Sequence, residues 1–262
     1  MMRYVRIYGH LAAINFAQLV AYRSNFINSI VSSLAWGFFS LYTIILLTST
    51  TAEAYGWKRD EILLFNGIYG IVVGIFHMFF SINMRRLSRI IRWGELDLIL
   101  TKPLDSQFAV SFWLIDYTMI LRIIMAGGYT AWLLTRLGVE ITIPMLLLTI
   151  AMSVVAIILL YSLWFIVLTT LIWFTNLVNL VELMFSFESL ARFPQEVTAQ
   201  LTNALFFLVL PLTLVINTPT RILMQRISWV EVAQLVGLAA AFWFTSRAFW
   251  KYALRHYTSA SS

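Results

Sequence analysis

PMLLLTIAMSVVAIILLYSLWFIVLTTLIWF, residues 144–174, contains no charged side chain. A helix needs about 20 mostly apolar residues to cross a bilayer. This run therefore reads as a span with length to spare for tilting or for projecting beyond the hydrocarbon. It starts at Pro144, where the first turn of a helix tolerates a missing N–H. Working outward, apolar runs recur at residues 26–47, 62–82, 109–134 and 229–250. The chain as a whole is 61% hydrophobic and 11% charged, against about half and about a quarter in an average soluble domain. A soluble fold of this size has no way to hide that much apolar surface, and the sequence reads as a single membrane domain over residues 1–262.

Between the unambiguous spans the reading is less direct. Residues 176–190 are apolar but broken by Asn179, Glu182 and Glu188, while residues 201–216 are strongly apolar but short and interrupted by Pro211. Either run is a candidate fifth span. Residues 1–24 carry Ile7, Leu11 and Ile14 at helical spacing, with Arg3, Arg6 and His10 interleaved. That pattern predicts a helix lying in the interface and lacks the organisation of a signal peptide. Gly67, Gly70 and Gly74 in the second run are small residues that let another helix approach closely.

Charge sets the orientation. Arg3, Arg6 and Arg23 precede the first span, and Arg247, Lys251 and Arg255 lie at or after the end of the last. The loop after the second span carries Arg85, Arg86, Arg89, Arg92 and Lys102. Counting Lys and Arg, both termini and this loop are cytoplasmic, and that parity requires an even number of spans, for which six fits. The net charge of +6 thus follows the membrane topology and does not point to nucleic acid. With no cysteine in the chain, disulfides, thiol nucleophiles and thiolate metal sites are excluded, and no metal site is expected.

The cytoplasmic loop is the most informative element. Met84, Leu87, Ile90 and Ile91 form one helical face, and Arg85, Arg86, Arg89 and Arg92 the other. Gly94 is placed to end this helix, and Pro103 blocks helix continuation before the third span. A short amphipathic helix therefore sits between spans two and three, either anchored by its arginines to anionic lipid heads or docking a cytoplasmic partner. The stretch Gly94-Glu95-Leu96-Asp97-Leu98-Ile99-Leu100-Thr101-Lys102-Pro103-Leu104 resembles the G-x-L-D-x-x-L-x-K-P-L signature of bacterial ABC transporter permeases of the type 2 exporter class. Residues 201–213, closing on Pro211-Leu212-Thr213, resemble the segment that precedes the last span in that class. Arg192-Phe193-Pro194 resembles its R-Y-P segment, with Phe193 in place of tyrosine.

The resemblance implies an all-α integral membrane protein of six transmembrane helices. It has an N-terminal interfacial helix, a cytoplasmic coupling region over residues 83–107 and re-entrant outer-face helices over residues 195–227. Residues 176–193 then form span five, with residues 201–216 as the rival. The implied partners are an ABC ATPase dimer, which would bring its own ATP and Mg, a second permease chain (a related heteromeric one favoured over a second copy) and membrane lipid. The ATPase would dock on Arg85, Arg86, Arg89, Arg92, Gly94, Glu95, Leu96, Asp97, Lys102, Pro103 and Leu104. The implied location is the bacterial inner membrane and the implied activity is export.

Ionisable residues inside spans are costly and usually face a partner or a cavity. His77, Asp116, Arg122, Glu182 and Glu188 are such residues and form a candidate intramembrane polar network. Asp116 and Arg122 are too far apart in register to face each other on one helix. No H-E-x-x-H, G-x-S-x-G or G-x-x-x-x-G-K-[ST] motif occurs, so no catalytic residue is expected and any ATP must bind another chain. An ion-coupled carrier using Asp116, Arg122 and Glu182 is the alternative, although the internal repeat that many carriers show is not evident.

Overall fold

The computed structural model describes residues 2–49, 53–54, 56–177, 179–194 and 206–257. The N-terminal segment is helical, α1 (Met2–Ala21), and continues after a kink at Tyr22 into α2 (Arg23–Leu47). A two-residue hairpin, β1 (Glu53–Ala54) and β2 (Trp57–Lys58), leads into α3 (Arg59–Phe76). A π-helical turn, His77–Ser81, joins α3 to α4 (Ile82–Arg92). Two short helices follow, α5 (Asp97–Leu100) and α6 (Ser106–Ser111), then α7 (Met119–Arg136) and α8 (Ile143–Thr169). The chain closes with α9 (Leu180–Glu188), α10 (Phe206–Leu223) and α11 (Trp229–His256).

Among the described residues, four helical segments are long and apolar enough to cross a membrane: Phe26–Leu46, Arg59–Arg92, Ile143–Ile172 and Trp229–His256. The second corrects the expectation of a separate amphipathic helix between spans two and three. α3, the π turn and α4 form one rod, which at about 1.5 Å per residue is roughly 51 Å long. The two faces expected of α4 are present: Met84, Leu87, Ile90 and Ile91 are buried, while Arg85, Arg89 and Arg92 are exposed. Gly94 ends the rod at φ 70°. Glu95 N–H donates to Ile90 O at 2.9 Å and Gly94 N–H to Ile91 O at 3.3 Å, a Schellman closure that requires the left-handed residue glycine supplies.

The third span is also corrected. It is not continuous over residues 109–134 but broken, with α6 ending at Ser111 and α7 starting at Met119. Non-helical backbone inside a membrane bundle must find its hydrogen bonds within the protein. Asn83, fully buried, supplies most of them. Its amide donates to Leu114 O at 2.8 Å, and its carbonyl accepts from Trp113 N–H at 3.2 Å and Leu114 N–H at 2.9 Å. The carbonyl of Met78, within the π turn, accepts from Asp116 N–H at 2.9 Å. From α1, Asn15 donates to Trp113 O at 3.1 Å.

The packing also sorts the connections to two ends. At one end Arg3 donates to Pro103 O at 3.1 Å, Trp250 to Ser106 Oγ at 3.0 Å, and Arg247 pairs with Asp105. The start of α1, the loop after the second span and the last turns of α11 therefore lie together. At the other end Arg226 grips the buried carboxylate of Glu61 at 2.7 and 3.3 Å, and Arg221 meets Glu231 at 2.7 Å. Arg221 and Arg226 thus sit opposite the 83–107 loop. Of the expected outer-face region, residues 195–205 lie outside the described residues. The described part, α10, is a helix containing Pro211 and Pro219, packed against α8, α3 and α11.

α3 is the centre of the bundle, buried along most of its length. Its glycines do what their spacing predicts and admit α7. A Cβ on Gly70 would stand 2.9 Å from Ala126 Cβ, and one on Gly74 2.8 Å from Ile123 Cγ1. Because Ala126 has no rotamer to yield, Gly70→Val is expected to push α7 outward at a cost of about 1–3 kcal/mol. A lower midpoint in a thermal scan of the purified protein checks this, and an unchanged midpoint contradicts it.

Candidate functional site

The broken span and the π turn form part of the wall of a polar cavity of about 740 Å³. α2, α3, the π turn, α4, α7 and α9 all contribute to its lining. π turns and discontinuous helices recur at functional sites of membrane proteins, and here both occur at one place.

Four of the five ionisable residues singled out in the sequence meet in this cavity: His77, Asp116, Arg122 and Glu188. His77 Nε2 lies 2.7 Å from Glu188 Oε1, and Glu188 is only 3% exposed. Its second oxygen, Oε2, is buried with no hydrogen-bond partner among the described residues. Asp116 accepts from Thr118 Oγ1 at 2.5 Å and from Thr118 N–H at 3.1 Å. Its side chain therefore bonds within its own loop. Arg122, half-buried, makes no hydrogen bond or ion pair among the described residues, although it lies near Tyr69. Glu182 is a correction: it is exposed and does not line the cavity. Six positions separate it from Glu188, which at about 100° per residue turns the two to different faces of α9.

Three contributions went unread in the sequence. Arg85, assigned to the cytoplasmic arginine face, lines the cavity with its guanidinium 4.5 Å above the Phe185 ring. Arg192 reaches the same space and lies 5.4 Å above Tyr69. α2 presents Asn28, Ser29, Ser32, Ser33 and Ser40 to the cavity. Their three- and four-residue spacing is a polar stripe on an apolar helix, a signal that was present in the sequence.

Beside this cavity lies a second, smaller one of about 220 Å³ between α2, α3 and α7. Its lining includes Leu34, Phe38, Leu41, Met125 and Ala126. Ser33, Ser40, Tyr69 and Arg122 border both spaces.

The expected coupling residues occupy one end of the molecule. Arg86 and Lys102 both lie over the Trp113 ring, at 5.1 and 3.9 Å, cation–π contacts that join the loop to the broken span. Leu96 is fully buried, Leu104 half-buried, and Glu95 and Pro103 exposed. Asp97 is half-buried. Asp105 caps α6, accepting from Phe108 N–H at 3.0 Å.

The hydrogen bonds from Arg247 hold the Asp105 carboxyl below the usual carboxylate range, and the Phe108 N–H adds to this against a smaller opposing effect of burial. A depressed folded-state value stabilises the fold above the unfolded value and is lost as pH falls. The stability gap between the parent and Asp105→Asn is therefore expected to be full at neutral pH and to close as pH drops below about 4. Thermal scans of both proteins across that range check this, and a gap that does not change with pH contradicts it.

A family model described as ABC-2 family transporter protein matches residues 34–261, which include both cavities' α3 and α7 walls and the whole 83–107 loop. No curated protein and no solved structure gives a significant match.

Proposed function

The chain belongs to the ABC-2 family of transporter proteins, and from that membership we propose that it is the permease subunit of an ATP-binding cassette exporter. The observation that carries the reading is the family match, which runs through nearly all of the chain. A separate ATPase dimer binds ATP and Mg and docks at the end formed by residues 94–104 and the exposed arginines Arg89 and Arg92. A second permease chain, related but different, completes the pathway. Six crossings are proposed: the four apolar helices, the interrupted α6–α7 as the third, and the α9 segment as the fifth, with α10 belonging to a re-entrant element. The end bearing residues 83–107 faces the cytoplasm of a bacterial cell.

The continuity of α3 and α4 supplies a mechanism. A push on the 94–104 turn passes along the rod without crossing a flexible joint. It reaches the π turn, where Met78 O and Asn83 hold the broken third span. Motion of the rod therefore moves the 112–118 loop and the cavity it lines, the differential contact that a two-state transport cycle needs. In the alternative, an ion-coupled carrier, Glu182 was one relay member; its absence from the cavity leaves only Asp116 and Arg122 of that relay.

Site-specific cross-linking separates the two readings. Leu98, 68% exposed, is at the proposed docking end, and Ile143, 76% exposed, starts α8 at the other. With no native cysteine, Leu98→Cys and Ile143→Cys each give one reactive position. Leu98→Cys is expected to capture an ABC ATPase of the host cell and Ile143→Cys to capture none. Capture from Ile143→Cys alone would contradict the proposed docking end.

A further inference from the structure

We propose that the paired cavities bind an amphiphile with an anionic head group, its head held by Arg122 in the polar cavity and its tail lying in the apolar pocket beside it. This names a ligand class for the permease proposed above and rests on that reading.

The charges decide the sign of the head group. The cavity holds three guanidinium groups, Arg85, Arg122 and Arg192, against two carboxylates, Asp116 and Glu188. Asp116 accepts from Thr118, and Glu188 meets His77 through one oxygen, its other oxygen being buried without a partner among the described residues. Arg85 and Arg192 rest over aromatic rings. Arg122 has no such partner among the described residues, and an uncompensated charge inside a membrane bundle is costly. An anion beside it removes that cost through charge-assisted hydrogen bonds, whereas a cation would add to the repulsion.

The geometry decides the tail. Arg122 borders both spaces, so a group bound to it stands at the boundary between a polar volume of about 740 Å³ and an apolar one of about 220 Å³. Ser33 and Ser40, both buried, share that boundary; the Ser33 hydroxyl donates to Met119 Sδ at 4.0 Å, and the Ser40 hydroxyl offers a donor to the head group. Gly37 forms part of the apolar wall, and a Cβ there would meet nothing within 4 Å. A leucine at this position would therefore occupy tail space without a backbone clash.

The test uses the full chain in phosphatidylcholine nanodiscs, with dodecyl phosphate titrated against protein-loaded and empty discs. Saturable binding above the empty discs is expected. Arg122→Gln, which removes the head-group contact, is expected to weaken it about tenfold or more, while Arg122→Lys retains most of it. Gly37→Leu is expected to weaken dodecyl phosphate binding through the tail alone. Dodecyltrimethylammonium and inorganic phosphate are each expected to bind at least about tenfold more weakly than dodecyl phosphate. The proposal is overturned if the cationic amphiphile binds as tightly. It is also overturned if there is no saturable binding, if inorganic phosphate matches dodecyl phosphate, or if monodisperse Arg122→Gln and Gly37→Leu both bind like the parent. ATPase association, measured on the same preparations, reports separately on the permease reading.

Discussion

Asn83→Leu is expected to lower the thermal midpoint of the purified protein more than any other single change near the cavity. The side chain is fully buried and makes four hydrogen bonds: it donates to Phe79 O and Leu114 O, and accepts from the N–H groups of Trp113 and Leu114. Leucine keeps the branch at Cγ but is bulkier than the amide, so overpacking in this fully buried site adds to the polar loss. Three backbone groups at residues 113 and 114 lose these bonds, at about 1–3 kcal/mol for each one left unsatisfied. The sum, on the order of 3 kcal/mol or more, is a large share of the roughly 5–15 kcal/mol that holds a typical domain folded. Asn83→Asp puts a carboxyl in the same buried site; held protonated at low pH it keeps the acceptor and one donor, so at low pH its midpoint should fall between those of the parent and the leucine variant. Thermal scans in mild detergent, followed by the monodisperse fraction, give the comparison. A leucine variant melting with the parent would mean that Asn83 does not hold the break in place.

That role also marks where the sequence stopped being legible. Asn83 reads in the sequence as the first residue of a polar stretch; its partners lie about thirty positions onward and become visible only once α6 and α7 dock on the rod. The apolar run 109–134 looked continuous because hydropathy records which side chains tolerate lipid, not whether the backbone is helical. The bonds that permit the break come from Asn83, Asn15 and the π turn, none of them within the run. The cavity was more legible, since His77, Asp116, Arg122 and Glu188 are expensive at such positions and only a shared polar space accounts for them. Glu182 met the same criterion but lies on another face of α9, and hydropathy does not resolve faces. Arg85 failed in the opposite sense: the charge pattern of α4 grouped it with Arg89 and Arg92, while the packing of α9 turned its position into cavity wall. The Schellman ending at Gly94 and the glycine contact with α7 were legible because each depends on local backbone geometry or on the absence of a Cβ.

Charge reversal at Arg89 and Arg92 is the second large effect expected. The sequence treated four arginines as one docking face, and their positions narrow that set. Arg85, though exposed, lines the cavity and Arg86 packs on Trp113, which leaves Arg89 and Arg92 as the exposed arginines of α4 away from the cavity. If carboxylates of the ATPase meet these guanidinium groups, Arg89→Glu with Arg92→Glu replaces attraction by repulsion. A loss of at least about 30-fold in ATPase affinity is then expected, the equivalent of about 2 kcal/mol for breaking a desolvated charge pair. Lysine at both positions keeps the charge but not the planar fork, and should give an intermediate affinity. Binding of purified ATPase to nanodisc-held permease measures all three. Equal affinities for the parent, lysine and glutamate proteins would remove these arginines from the interface and return them to the lipid-anchoring role.

The claim beneath both the docking end and the moving rod is that this chain works with a separate ATPase. The most direct measurement is affinity purification of the unmodified full chain, in mild detergent, from its native cells, where the partner ATPase would also be made. ATP turnover of whatever elutes is then assayed. The account predicts a stable complex in which the ATPase hydrolyses ATP at a rate different from that of the ATPase alone. Recovery of the chain free of any ATPase, together with an unaltered hydrolysis rate when the two are mixed in nanodiscs, would contradict it.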